Sequence, residues 1–248
     1  IPEALVAWDS VASSDDADGQ RLAGQIRQIL TTERRNATGL SDREKYQYVR
    51  YVINPHDSVF FTQVLNSFEN ANYKAQVLLD MCDKQLKANE LNTAIRYYNQ
   101  IARLEFDDAA LFERAKHFQL LLMALSTDAA GLEQQIDKVT FDPSQALEKM
   151  LYTAIISKSK QDMVTAEKNF RILGLWNPYF EEGILAAAEY FREKDESSPL
   201  AYDILAEAIQ SNRYSVRLLQ AYAEEAIRQG LTEHAEDARR QLQELKDR

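Results

Sequence analysis

The stretch Asn89-Glu-Leu-Asn-Thr-Ala94-Ile-Arg-Tyr97-Tyr98-Asn-Gln-Ile101-Ala-Arg-Leu-Glu-Phe106 decides how the rest of the chain reads. A polar turn leads into a helical pattern with a small residue, Ala94, an aromatic four positions on, Tyr98, and an aliphatic three further, Ile101. Residues at that spacing share one helical face. The small side chain lets a neighbouring helix come close, and the larger ones fill the groove beside it. The pattern predicts one helix of a packed helical pair.

Composition agrees. The 248 residues are 45% hydrophobic and 27% charged, ordinary for a chain that buries a core. The length allows one large domain or one continuous array. Seven Gly and five Pro are few, whereas a β-sandwich or barrel needs turn chemistry about every 8–12 residues. Ala, Leu, Glu, Gln, Arg and Lys dominate, and these favour helix. The chain reads as all-α.

The 89–106 stretch resembles the second helix of a tetratricopeptide repeat. That family's pattern has a small residue, an aromatic and a second small residue on each second helix, with a period of about 34 residues. Aligning Ala94, Tyr98 and Ile101 with it puts Leu78, Met81, Cys82 and Gln85 on the first helix. Phe112 and Ala115 then open the next hairpin, and Leu132, Ile136 and Val139 carry its second helix. Four extra residues are expected in its turn, Ser126-Thr-Asp-Ala-Ala-Gly131. The third hairpin has Met150 and Ala154, then Ala166, Phe170, Leu173 and Pro178. The fourth has Ile184, Ala187, Ala188 and Phe191, then Ala201, Leu205 and Ala208; the fifth has Leu219, Tyr222, Ala223 and Ala226, then Gly230 and Ala235. Five repeats are therefore expected at 75–108, 109–146, 147–180, 181–215 and 216–248. The resemblance implies an α-α superhelix, a right-handed solenoid of antiparallel helix pairs. The family's Trp and Gly on the first helix are missing in every unit.

Local signals point the same way. Asn177-Pro178, Asp142-Pro143 and Ser198-Pro199 each pair a capping residue with Pro at the first helical position. Ser41 with Glu44 reads as a capping box, and Gly230 fits a helix C-terminus. The last helix, 232–247, has a thin apolar stripe and suits a solenoid's polar end. The N-terminal part is less regular. Residues 1–40 read as partial repeat helices and a linker, with Ala4, Trp8 and Val11 at second-helix spacing, and 41–74 as an irregular hairpin around Asn54-Pro55. The start at Ile1-Pro2 falls mid-hairpin, which suggests a helical accessory or regulatory region of a larger, even membrane-anchored, protein or enzyme as an alternative reading.

The net charge of −10 and pI of about 4.9 argue against nucleic acid and anionic membranes as partners. No apolar run reaches the roughly 18 residues of a membrane span. The compartment stays open between cytoplasm and bacterial periplasm. Cys82 is the single cysteine, so it forms no internal disulfide and reads as a small buried hydrophobe.

Candidate chemistry is sparse. His56, His117 and His234 lack partners at metal-ligand spacing. Asp15-Asp16-Ala-Asp18-Gly19 lacks the bidentate Glu of a calcium loop. Glu196-Ser197 matches the Glu-Ser pair of helical-superhelix enzymes that cleave bacterial wall glycan, but here it sits in a short polar turn. Asn36-Ala37-Thr38 is a formal glycosylation acceptor. Tyrosines at helical spacing are expected in the core. The expectation is a protein without cofactor, metal or catalytic residues.

In tetratricopeptide arrays the first helices line a concave face. The resemblance implies that Gln76, Asp83, Lys87, Arg114, His117, Lys158, Glu189, Arg192, Gln220, Glu224 and Arg228 face that groove. The conjunction of Lys, Asn and Arg that clamps chaperone C-terminal carboxylates in some relatives is absent. The expected role is a non-catalytic scaffold that holds a protein or peptide partner along the concave side.

Overall fold

A computed structural model describes residues 41–51 and 58–246. Expectations for residues 1–40 and for Asn54, Pro55 and His56 lie outside them. Among the described residues the chain is helical, without strands. The helices are α1 (Asp42–Tyr51), α2 (Ser58–Ser67), α3 (Ala71–Lys87), α4 (Leu91–Ile101), α5 (Ala109–Leu125), α6 (Ala129–Gln135), α7 (Ala146–Ser159), α8 (Met163–Trp176), α9 (Glu181–Lys194), α10 (Leu200–Ser211), α11 (Val216–Arg228) and α12 (Thr232–Lys246). Short 3-10 turns occupy Ile136–Lys138 and Pro143–Gln145. No helix is long and apolar enough to cross a membrane among these residues.

The described residues divide into two compact units, those up to Met81 with Tyr97–Phe112, and Cys82–Arg96 with those from Glu113 onward. In the first, Val49, Phe61, Val64 and Leu65 are buried, as are Ala75, Leu78, Leu79 and Ile101. The Phe61 and Tyr97 rings meet edge to face at 5.8 Å. Lys45 is buried, with Nζ 3.1 Å from Asp42 Oδ1 and donating to the Ser67 carbonyl at 2.6 Å. The Ser41 carbonyl accepts from Lys45 N–H, where α1 begins; the Glu44 side chain is not among those described.

In the second unit consecutive helices from α6 to α12 pack on one another, and α9 also packs on both α7 and α11. Alternate helices thus touch as well as neighbours, as helical-repeat stacking requires. The apolar contact positions explain it. Ala154, Ala166, Leu173, Ile184, Ala187 and Ile204 are fully buried. Gly174 marks a close approach of three helices: a Cβ there would lie 2.9 Å from Ala187 Cβ and 3.0 Å from Ile204 Cδ1.

Four hairpin turns share one backbone motif. Asn89, Thr127, Gln161 and Gly230 all have φ between 57° and 75°. At each, the next residue's N–H bonds a carbonyl five residues back, as in Leu231 to Ala226 and Asp128 to Met123, both 2.8 Å. The left-handed residue's own N–H bonds three back, as in Gly230 to Ile227 at 3.0 Å. This Schellman geometry satisfies the carbonyls at the helix end. Five residues beyond each stand Ala94, Leu132, Ala166 and Ala235, all buried.

That register corrects the placement of the four extra residues. The 126–131 turn matches the other turns. From Leu132 to Ala154, Ala166 to Ala188 and Ala201 to Ala223 is 22 positions, but from Ala94 to Leu120 is 26. The excess lies between α4 and α5. Phe112, near the start of α5, is 50% exposed. Two further corrections follow. The second helix expected through Ile136 and Val139 ends at Gln135, passes into a 3-10 turn, and Val139 is extended. Asn177 ends α8 rather than starting α9, its Nδ2 donating to the Ile172 carbonyl at 2.9 Å. Asp142 does form a capping box with Gln145, whereas Pro199 rather than Ser198 occupies the N-cap of α10, without a side-chain cap bond, and Ser198 Oγ accepts from Leu200 N–H at 3.3 Å.

Candidate functional site

The first helices carry a charged row in the second unit. Arg114, Glu148, Glu182 and Arg217 recur at 34 or 35 positions, on α5, α7, α9 and α11. Arg217 is 8% exposed and its Nη1 stands 2.9 Å from Glu181 Oε1 and 3.0 Å from Glu182 Oε1. Ser215 Oγ caps α11 by accepting from Leu218 N–H and donates to Glu181 Oε2 at 2.5 Å. The charged neighbour of Glu148 is a histidine: Glu148 Oε2 lies 3.8 Å from His117 Nδ1. Burial pushes the Glu148 carboxyl above its ordinary value, His117 opposes this, and the charges of Glu182 and Asp142 add to it.

His117 is half-buried. Gln145 Nε2 lies 3.3 Å from its Nε2, and the Phe141 ring meets its edge at 5.2 Å. The other expected groove residues are mostly engaged locally. Lys87 pairs with Asp83 at 2.6 Å, Arg192 with Glu189 at 3.7 Å, Arg228 with the buried Glu225 at 3.5 Å, and Lys158 with Glu193. Gln76 Nε2 donates to Tyr46 Oη at 3.1 Å. Arg114 is half-buried and Glu224 exposed. Gln220 is reached from far along the chain, its Oε1 accepting from Asn89 Nδ2 at 2.9 Å. The expected set is therefore spread over pairs within one helix, as for Asp83–Lys87, Glu189–Arg192 and Glu225–Arg228, and links between elements, as for Gln76–Tyr46, Lys158–Glu193 and Gln220–Asn89.

Two features escaped the sequence reading. The tyrosine hydroxyls of Tyr202 and Tyr222 are 3.0 Å apart, and Tyr202 Oη lies 2.6 Å from His234 Nδ1, joining α10, α11 and α12. Spacing does not predict such a cross-helix triad. The second is an edge of exposed aromatics, Trp176, Tyr179 and Tyr214 at 78%, 79% and 73% exposure. Tyr179 and Tyr214 occupy equivalent places, each two residues after a helix-ending asparagine, and Asn212 Nδ2 donates to the Pro178 carbonyl. The Asn-x-Tyr recurrence, at a spacing of 35, was a legible signal.

Among the described residues no group of three or more His, Cys, Asp or Glu could hold a metal ion. Glu196 and Ser197 lie in an exposed turn, Ser197 bonded to Asp195 Oδ1 at 2.7 Å. Cys82 is fully buried, its Sγ donating to the Ala94 carbonyl at 3.4 Å. No family model, curated protein or solved structure matches the chain.

Proposed function

We propose that this chain is a non-catalytic binding scaffold, a tetratricopeptide-like superhelix of antiparallel helix pairs that holds a protein or peptide partner along the face lined by its first helices. The recurrence of Arg114, Glu148, Glu182 and Arg217 at the repeat spacing carries this reading. A stack of like helices presents equivalent positions side by side, so the periodic charges line one face; Arg217 is buried in its pairs with Glu181 and Glu182, and the exposed first-helix charges beside the row are the ones a partner would meet. The repeated Schellman turns and the packing of α7, α9 and α11 support the repeat architecture. The helix pairs then correspond to α3–α4, α5–α6, α7–α8, α9–α10 and α11–α12.

The test is affinity capture followed by calorimetry on the purified partner. Arg114→Glu and Arg192→Glu are expected to weaken binding about tenfold each, as for desolvated interface charges. Lys168→Glu, exposed on the second helix α8, leaves it unchanged. The opposite pattern would assign binding to the other face.

A further inference from the structure

The four residues that break the repeat build a groove in the first unit. Its cavity, about 520 Å³, is lined by the connection from Leu104 to Asp107, by Asn70 to Asn72 at the start of α3, and by Phe112 on α5. In repeat proteins an insertion maps to a loop on one face, often the binding face. The volume falls within the range of ligand sites, about 300–1,000 Å³. The Phe106 and Phe112 rings stand edge to face at 6.2 Å and form its apolar wall. The connection carries Glu105, Asp107 and Asp108 against Arg103 alone.

Two helix N-termini open here, which would ordinarily suit an anion. Their donors are already taken. Asp42 accepts from Glu69 and Asn70 N–H, and Asn70 Oδ1 from Asn72 N–H. Asn72 Oδ1 accepts from Asp107 and Asp108 N–H, and Asp108 Oδ1 from Ala110 and Leu111 N–H. What the caps leave over is negative. Asp107 Oδ1 accepts from Asn72 Nδ2 at 2.8 Å, its second oxygen has no partner among the described residues, and Glu105 is exposed and has none either.

We propose that this groove docks a basic segment of a partner protein, one lysine or arginine side chain lying against Phe106 and Phe112 with Glu105 and Asp107 as its counter-charges. Aromatic rings attract a cation through their negative faces, and the carboxylates add directional acceptors. The test at Glu105 and Phe112 uses no residue of the Arg114, Glu148, Glu182 and Arg217 row and is independent of that reading.

The experiment titrates the full chain into a fluorescein-labelled peptide of alternating Gly, Ser, Lys and Arg and follows anisotropy. A companion peptide with Glu replacing Lys and Arg is the control. Saturable binding on the order of 100 µM is expected for one such anchor, with none for the acidic peptide. Glu105→Lys weakens it about tenfold and Phe112→Ala about fivefold. Glu236→Lys, the same charge change at an exposed position on α12, changes it less than twofold. Far-ultraviolet circular dichroism establishes that each variant is folded, and Glu105→Gln, which adds no new charge, must weaken binding in the same direction as Glu105→Lys. The proposal is overturned by no binding at about 1 mM, by equal losses from Glu105→Lys and Glu236→Lys, which would mean bulk charge alone, or by unchanged affinity in Phe112→Ala.

Discussion

Arg217 and Glu182 stand 35 residues apart in sequence and 3.0 Å apart in space. That spacing is one repeat, so the pair joins the starts of α9 and α11. Arg217 also holds Glu181. Replacing it with Ala leaves two half-buried carboxylates side by side without their cation. Arg217→Ala is expected to lower stability by about 2 kcal/mol, below the usual 3–5 for a fully buried pair because both carboxylates keep some water. Arg217→Met combined with Glu181→Gln and Glu182→Gln recovers most of it. Urea unfolding measures both, and an unchanged midpoint in Arg217→Ala would remove the clamp from the account.

The left-handed turns rank by residue type. Gly adopts positive φ freely, Asn tolerates it, and a β-branched residue is strained there. Thr127, at φ 57°, is exposed, so Thr127→Gly is expected to stabilise the protein by about 1 kcal/mol. Gln161→Gly gains less and Asn89→Gly least. Thermal midpoints check the order; a loss in Thr127→Gly would contradict the turn geometry.

Gly174 has no room for a side chain. Its neighbours Ala187 and Ile204 belong to two different helices, α9 and α10, and both are fully buried. Gly174→Ala favours helix propensity, yet overpacking outweighs that gain, and a net loss of about 1–3 kcal/mol is expected. Enhanced stability in a denaturant titration would mean the three helices separate more easily than their packing indicates.

Buried acids set the alkaline limit. Burial pushes the Cys82 thiol up to about 12, with Arg114 opposing. Burial likewise raises Tyr152 and Tyr222, aided for Tyr152 by the Glu148 and Glu182 charges and for Tyr222 by its bond to Tyr202. The folded chain thus favours the neutral forms. Their contribution to stability is whole below the unfolded values, about 8.5 for Cys and 10 for Tyr, and drains as pH rises through the raised folded values. The urea midpoint should be level in these groups' contribution up to about pH 8 and fall from about pH 9. Cys82→Ala flattens the first part of that fall. A thiol reagent at pH 8 should react with Cys82 only once the chain is unfolded; rapid native-state labelling would show that the site opens.

The sequence carried much of this and missed particular parts for physical reasons. Ala94, Ala166, Ala201 and Ala235 were legible because a small residue at a helix crossing is a local requirement repeated at a fixed spacing. The shared turn was not, because Asn, Thr, Gln and Gly have little in common as letters; backbone bonds from the preceding helix impose the left-handed residue. In the sequence the four-residue excess reads as part of the 126–131 turn, since Ser126 to Gly131 has turn composition. Burial of Leu120 and Leu132 moved it to the connection before α5.

The candidate site followed the same division. A lattice of first and second helices is dictated by apolar spacing along the chain, since each helix must bury one face. Helix class and the buried state of Cys82 could therefore be read from residues 75–248 unaided. Which charges meet is a different kind of fact. Asp83 with Lys87 is one helical turn apart and visible in sequence, whereas Arg217 with Glu181, Asn89 with Gln220, and Asn72 with the Asp107 loop depend on how one hairpin settles on another. Apolar burial is non-directional and leaves its imprint on every helix, but a hydrogen bond needs two groups within about 3 Å, and only the packed tertiary structure brings them there.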